Sequence, residues 1–95
     1  AASDVYKRQA LEIAIFADKA TVDEEIIRLR SHISQMKNTL NLDEPIGRKL
    51  DFIVQEMNRE ANTIASKAND MKMTNTVIDI KNLIEKIREQ VQNIE

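Results

Sequence analysis

Apolar residues recur at helical spacing along most of the 95-residue chain, with polar residues between them. The first such stretch covers residues 9–19 and carries Leu11 and Ile15 four positions apart. After Thr21 the spacing alternates between four and three residues, which is typical of bundles and coiled coils. This second stripe consists of Val22, Ile26, Leu29, Ile33, Met36 and Leu40. The pattern predicts two helices that separate at "TVDE", where Thr21 and Glu24 are expected to form a capping box.

Two more stripes predict a third and a fourth helix. The segment "NLDEPIG" interrupts the pattern, with Asp43 as the expected N-cap and Pro45 in the first turn. The third stripe consists of Ile46, Leu50, Ile53, Val54, Met57, Ala61, Ile64, Ala65 and Ala68. Near "MTNT", Thr74 or Asn75 is expected to cap a fourth helix. Its stripe consists of Val77, Ile80, Ile84, Ile87, Val91 and Ile94.

The prediction is therefore an all-α domain of about four helices, arranged as a helical bundle or as extended antiparallel helices. The chain has one Gly, one Pro and three aromatic residues, so few of its residues favour turns or strands. The residues predicted to be buried are Val22, Ile26, Leu29, Ile33, Leu50, Met57, Ile64, Ile80, Ile84 and Ile87. Residues 1–9 lack an apolar period and are expected to be a lead-in or an expression remnant, whereas residues 10–95 form the domain. Such a small chain without disulfides is expected to oligomerise through its apolar seams.

Composition excludes several classes of function. The chain has no cysteine, which rules out thiolate catalysis and Cys-ligated metal sites and fits a reducing compartment such as the cytoplasm. No apolar run reaches the roughly 18 residues of a membrane helix. A net charge of −2 provides no global attraction for nucleic acid, so phosphate binding requires a local group of basic residues. There is also no Gly-rich phosphate loop, His-x-x-x-His pair or nucleophile elbow.

The third predicted helix carries two polar bands beside its apolar stripe. The band flanking the stripe contains Lys49, Glu56, Glu60, Thr63 and Lys67, and the band opposite it contains Arg48, Asp51, Gln55, Arg59, Asn62 and Ser66. Arginine is suited to forked contacts with phosphate, and the uncharged polar residues suit ribose or base edges. An interhelical polar network is the alternative interpretation of the same residues.

Glu56, Glu60 and His32 are the clearest candidates for chemistry. The two glutamates are four residues apart, a spacing that suits a shared Mg²⁺ or Mn²⁺ and equally suits two separate salt bridges. His32 is the single histidine and is able to serve as a general base, a phosphate contact or a metal ligand. A lone histidine that is simply packed or capped is the alternative.

Three stretches carry a resemblance to a known family: "EEIIRLRSHI", then "GRKLDFIVQEMNREANTIASKAND", and finally "IEKIREQVQNIE". In this order and spacing they resemble the C-terminal domain of the YicC/YloC family of bacterial proteins, over residues 11–95. The resemblance implies a cytoplasmic endoribonuclease that is assisted by a divalent metal (Mg or Mn) and acts on RNA. It also implies assembly as a homo-oligomer, possibly a hexamer, and a larger N-terminal domain that is absent from this chain. Thr21 departs from the family, which commonly has Asp at that position.

Carried over residue by residue, the resemblance covers both polar bands and part of the second predicted helix. The matching residues are Glu24, Glu25, Arg28, His32, Gly47, Arg48, Lys49, Asp51, Gln55, Glu56, Asn58, Arg59, Glu60, Asn62, Ser66 and Lys67. The expected catalytic residues are His32, Asp51, Glu56 and Glu60, of which Glu56 and Glu60 are the expected metal ligands. The expected RNA-binding residues are Arg28, Arg48, Lys49, Gln55, Arg59, Asn62, Ser66 and Lys67. The alternative function is a non-catalytic helical module for oligomerisation and RNA docking.

Overall fold

A computed structural model describes residues 1–94, and within them the chain forms three α-helices and no strands. Helix α1 spans Ala2–Leu40, α2 spans Gly47–Lys67 and α3 spans Met71–Val91. Both α1 and α3 pack against α2, which is therefore the central helix. The described part is elongated, with extents of 66 × 21 × 15 Å. The all-helical class is confirmed, but the predicted number of four helices is wrong.

The first two predicted helices are one continuous helix. No Gly or Pro occurs before Pro45, so nothing in the backbone favours a break at Thr21. The Thr21 hydroxyl donates to the Ala17 carbonyl oxygen at 3.0 Å instead of capping a new helix. Bonding of Thr to a carbonyl four residues earlier is a common arrangement in mid-helix. The predicted capping box is therefore wrong.

The other two predicted caps also differ from the structure. Helix α2 begins at Gly47 with Ile46 at the N-cap position and no side-chain cap, so Asp43 does not fill that role. Helix α3 begins earlier than expected because Asp70 caps it, its Oδ1 accepting from the Met73 amide at 2.7 Å. Two short connections, residues 41–46 and 68–70, place consecutive helices antiparallel.

The core lies along α2 and takes side chains from all three helices. Its main buried cluster consists of Leu29, Met36, Leu50, Ile53, Val54, Met57, Ala61, Ile84 and Val91, and a smaller one consists of Val22, Ile64 and Val77. Of the residues predicted to be buried, Ile80 and Ile87 are only half-buried and pack against the main cluster. Ile26 and Ile33 are exposed, at 37% and 39%. They line an open apolar groove between α1 and α3 together with Met73, Val77 and Ile80.

The N-terminal half of α1 extends beyond the other two helices. All side chains of residues 1–20 are exposed, including Leu11 at 61% and Ile15 at 51%. These two residues continue the stripe that Val22 and Leu29 carry into the core. The apolar seam of α1 is therefore covered along only part of its length. No helix within residues 1–94 is long and apolar enough to cross a membrane.

Candidate active site and nucleic-acid interface

A row of polar side chains follows one edge of the contact between α1 and α2. The row, here called the polar seam, consists of Asp18, Glu25, His32 and Thr39, which recur at seven-residue steps and so share one side of α1. Glu25 and Thr39 are buried and His32 is half-buried. At one end of the seam, Asp18 Oδ1 lies 3.3 Å from the Nζ atom of Lys67 on α2. From Glu25 to Thr39 the polar seam therefore lies in the helix contact, whereas Asp18 is at its exposed end.

The closest contact of the polar seam joins His32 to Glu60. His32 Nδ1 lies 2.6 Å from Glu60 Oε1, within hydrogen-bonding distance. The Glu60 side chain is fully enclosed, at 0% exposure, whereas 19% of the His32 side chain remains exposed. The structure thus brings together two predicted catalytic residues that are 28 positions apart in sequence and lie on different helices.

The second carboxylate oxygen of Glu60 is buried and, among the described residues, has no hydrogen-bond partner. The guanidinium of Arg59 is nearby, with its Nη2 atom 3.9 Å from Glu60 Oε2. The same nitrogen lies 2.8 Å from Glu56 Oε2. One guanidinium therefore stands between the two glutamates. A buried acceptor without a hydrogen bond costs free energy, so its retention requires an explanation other than stability.

The predicted metal ligands, Glu56 and Glu60, are close together but are engaged in other contacts. Glu60 is enclosed with one oxygen on His32, and Glu56 binds Arg59. Within residues 1–94, no group of three or more His, Asp or Glu side chains converges on one point. The Arg59 guanidinium already holds the cationic position between the carboxylates. In this arrangement the two glutamates do not fit a preformed metal site.

Four predicted RNA-binding residues line one open hollow on the outer face of α2. They are Gln55, Arg59, Asn62 and Ser66, and the hollow also takes Asn58 and Thr63. Two of the lining side chains form hydrogen bonds within α2. The Thr63 hydroxyl donates to the Arg59 carbonyl oxygen at 3.1 Å, and the Ser66 hydroxyl donates to the Thr63 carbonyl oxygen at 2.8 Å. Lys81 of α3 donates to the side-chain oxygen of Asn62. The hollow therefore combines one exposed cation with amide and hydroxyl groups.

The other predicted RNA-binding residues lie away from this hollow. Arg28 on α1 pairs with Glu24 and Glu25. Lys49 Nζ lies 2.7 Å from Glu44 Oε1 near the start of α2, and Arg48 lies beside it in sequence. Lys67 lies in the last turn of α2. Their basic groups are therefore distributed along the whole helix pair.

Asp51, the remaining predicted catalytic residue, belongs to a different part of the molecule. It lines a separate hollow with Arg48 and Gln92, at the end of the bundle where α3 finishes. Nine residues separate it from Glu60, about 13 Å along the axis of α2. The hydrogen bonds that Arg88 donates to the Glu85 carboxylate are the main cause that raises the pKa of Arg88, and the charge of Asp51 acts in the same direction. Asp51 is thus placed near α3 and not near His32.

Sequence reasoning missed the positions of Glu25 and Thr63. Glu25 is buried at 8% exposure and pairs with Arg28 at 3.1 Å, so it forms part of the polar seam. The spacing in the sequence does indicate this position, because Glu25 and His32 are seven residues apart and therefore share a helix face. Thr63 was placed in the flanking band, but its contact with the Arg59 backbone puts it in the α2 hollow.

These features define an all-helical domain with a buried histidine–carboxylate pair beside a polar helix face. The sequence matches the model of the family described as "Endoribonuclease YicC-like, C-terminal" over residues 2–95. The chain therefore belongs to this family. The resemblance inferred from the sequence is confirmed.

Two curated relatives are similar to nearly the whole chain. The chain is 59% identical over 88 residues to the "Probable endoribonuclease YicC" of Clostridioides difficile (strain 630), covering 93% of the chain and 30% of that protein. It is 43% identical over 89 residues to the protein of the same name from Haemophilus influenzae, covering 94% of the chain and 31% of that protein. The chain thus spans less than a third of the length of either relative.

Proposed function

We propose that this domain contributes RNA binding and the cleavage site to an endoribonuclease. The observation that carries the proposal is the 2.6 Å contact between His32 and the enclosed Glu60. Arg59 connects this pair to the RNA-binding hollow, because its guanidinium lies beside Glu60 and also borders the hollow. The names of the two relatives, both called probable endoribonucleases, support the same activity.

RNA binding is assigned to the outer face of α2. The Arg59 side chain is 63% exposed and is able to form a forked contact with a phosphate. Gln55, Asn62 and Ser66 offer donors and acceptors to ribose and base edges. Lys49 and Lys67 lie near the two ends of this 21-residue helix, so a strand that follows its length of about 31 Å meets a cation at each end.

Cleavage is assigned to His32 with Arg59. Breaking a phosphodiester bond requires removal of a proton from the attacking oxygen and stabilisation of charge on the phosphate. His32 is a partly exposed imidazole in contact with a buried carboxylate, which suits it to proton transfer. Arg59 is placed to stabilise the developing charge. Asp51 has no part in this step because it lies near α3.

Dependence on a divalent metal stays a prediction for the whole protein. Glu56 and Glu60 are the expected ligands, but Arg59 separates them and Glu60 is enclosed. For this reason no step of the proposed cleavage is assigned to a cation. Cleavage measured across a Mg²⁺ and Mn²⁺ titration, with the parental protein and with Glu56→Gln, tests the prediction directly. A metal response that disappears in Glu56→Gln supports ligation by this residue.

The decisive experiment is RNA cleavage by a full-length protein that carries this domain. His32→Gln keeps an N–H donor for Glu60 but removes the group that transfers a proton. We expect its kcat to fall about 100-fold or more, while its Kd for RNA stays unchanged. Glu85→Gln, an exposed carboxylate on α3, is the matched surface control and should cleave normally. If His32→Gln cleaves at the parental rate, the alternative of a non-catalytic module for oligomerisation and RNA docking replaces this proposal.

We further propose that the domain works within a cytoplasmic homo-oligomer together with a family N-terminal domain. The exposed seam at Leu11 and Ile15 and the apolar groove at Ile26 and Ile33 support association with a further protein surface. The relatives are each more than three times the matched length, which gives room for another domain in such proteins. A hexamer is the expected assembly.

A further inference from the structure

We propose that Glu60 is a positioning residue that holds the His32 ring in a single tautomer, with the proton on Nδ1 and the lone pair on Nε2. The catalytic consequence rests on the proposed function, in which His32 transfers a proton. The positioning itself is a property of the fold and is measurable without RNA.

The packing around Glu60 fixes its carboxylate. Glu60 lies on the buried side of α2 between Met57, Ala61 and Ile64, which are at most 4% exposed. Its side chain has no solvent exposure, so it has little freedom to choose another rotamer. His32 reaches it from α1 across the helix contact at 2.6 Å. The imidazole therefore meets an acceptor whose position is set by the core.

An ionised carboxylate has acceptors and no donor, so the ring nitrogen facing it must carry the hydrogen. A neutral imidazole has one N–H, and placing it on Nδ1 leaves Nε2 with a lone pair. Nε2 is then the atom able to accept a proton from a hydroxyl nucleophile. A base held by a third group is the general arrangement that activates nucleophiles in enzymes.

The unpartnered oxygen of Glu60 shows why a carboxylate matters at this position. If the contact served only to join the helices, a glutamine would make the same hydrogen bond through its carbonyl oxygen and would bury no ionised group. A glutamine amide, however, also offers N–H donors and so accommodates the other tautomer of His32. Only the carboxylate presents acceptors at both of its ends, and among the described residues its Oε2 has no hydrogen bond, with Arg59 Nη2 3.9 Å away.

Nitrogen-15 NMR of the 95-residue chain tests the tautomer directly. Long-range ¹H–¹⁵N spectra at a pH where the ring is neutral should show His32 protonated at Nδ1 and unprotonated at Nε2. In Glu60→Gln the signals should move towards a mixture of both tautomers, whereas Glu85→Gln should leave them unchanged. A parental His32 with its proton on Nε2 overturns the proposal, and this measurement needs no variant to fold. An unchanged tautomer in a folded Glu60→Gln overturns it as well.

Kinetics of a full-length protein test the consequence for cleavage. Glu60→Gln should lower kcat at least about tenfold and change KM less than about twofold, because the variant alters His32 and leaves the α2 hollow in place. A parental protein that does not cleave RNA defeats the proposed function but leaves the NMR result standing. A parental protein that cleaves, together with a Glu60→Gln variant of equal kcat, defeats the positioning role and leaves the proposed function standing.

Discussion

The ammonium group of Lys67 lies 3.3 Å from the Asp18 carboxylate, and this pair marks the place where α1 leaves the bundle. Lys67 is the last residue of α2, so within residues 1–94 no helix packs beside α1 on the N-terminal side of Asp18. On the other side of this pair, α1 packs against α2 and contributes His32 to the candidate site. One helix therefore serves both as a wall of the candidate site and as an exposed extension.

We expect the His32–Glu60 pair to lower stability relative to an apolar contact. His32→Leu leaves Glu60 enclosed without its hydrogen bond and should cost about 3 kcal/mol of unfolding free energy. The double variant His32→Leu/Glu60→Met should equal or exceed the parental chain, by up to about 4 kcal/mol. Urea unfolding of the 95-residue chain measures both values. A double variant that is clearly less stable than the parental chain contradicts the expectation.

Arg59→Ala should weaken RNA binding and reduce its salt dependence. Loss of one phosphate contact lowers the slope of log K against log salt by about 0.7 for single-stranded RNA. Arg88→Ala is the matched control, because Arg88 on α3 is also exposed and pairs with a glutamate three residues away. Fluorescence anisotropy at several salt concentrations gives the slopes. Equal slopes for the two variants are inconsistent with a phosphate contact at Arg59.

Asp70 caps α3, and Asp43, which precedes α2 without capping it, is the matched control for testing this cap. Asp70→Ala removes the bond to the Met73 amide and should cost about 1 kcal/mol, the usual value of an N-cap. Asp43→Ala should have little effect, because Asp43 does not cap α2. Thermal unfolding monitored by circular dichroism compares the two variants. A larger loss in Asp43→Ala argues against the observed helix starts.

The apolar groove is expected to take part in self-association. Ile26→Gln/Ile33→Gln removes two exposed groove residues and should shift the chain towards monomer. Ile27→Gln is the control, since Ile27 is 67% exposed and is not among the groove residues. Multi-angle light scattering at increasing concentration reports the mass. A parental chain that stays monomeric at high concentration places the driving force for assembly outside this domain.

Glu85 provides a pH-dependent contact on the surface. The hydrogen bond from Arg88 lowers the pKa of Glu85 below its usual value. A lowered pKa stabilises the fold above the unfolded-state pKa, and this stabilisation is lost as the pH falls through the folded-state pKa. An NMR titration should show a lower midpoint for Glu85 in the parental chain than in Arg88→Ala. Because both side chains are exposed, the effect on overall stability should be small.

The helical class was predictable because the apolar stripes agreed along the chain and almost no residue favours a turn. The helix count was not, because Thr21 has the chemistry of a cap and also of a mid-helix residue. The choice depends on the neighbouring backbone, which holds no Gly or Pro. The exposure of Ile26 and Ile33 was not predictable either, because a periodic apolar stripe does not show whether a partner helix covers its whole width.

The burial of Glu60 was not predicted, because glutamate is usually an exposed residue type. Glu60 follows Ile53 by seven residues and Met57 by three, so its position lies on the core side of α2. Because glutamate is charged, the sequence pattern assigns Glu60 to the polar band that flanks the apolar stripe. The partner across the interface, His32, follows from no local pattern, because the contact depends on how far α1 and α2 are shifted along each other.

The free half of α1 gives the site a mechanical connection to its surroundings. A helix without Gly or Pro bends little, so residues 2–17 act as a lever arm about 24 Å long with its pivot near Asp18. His32 lies on the same rod, beyond the pivot. We expect a sideways force on this arm to tilt α1 on α2 and so to change the distance from His32 to Glu60. A protein surface bound to residues 2–17 is then able to act on the His32–Glu60 pair without touching it.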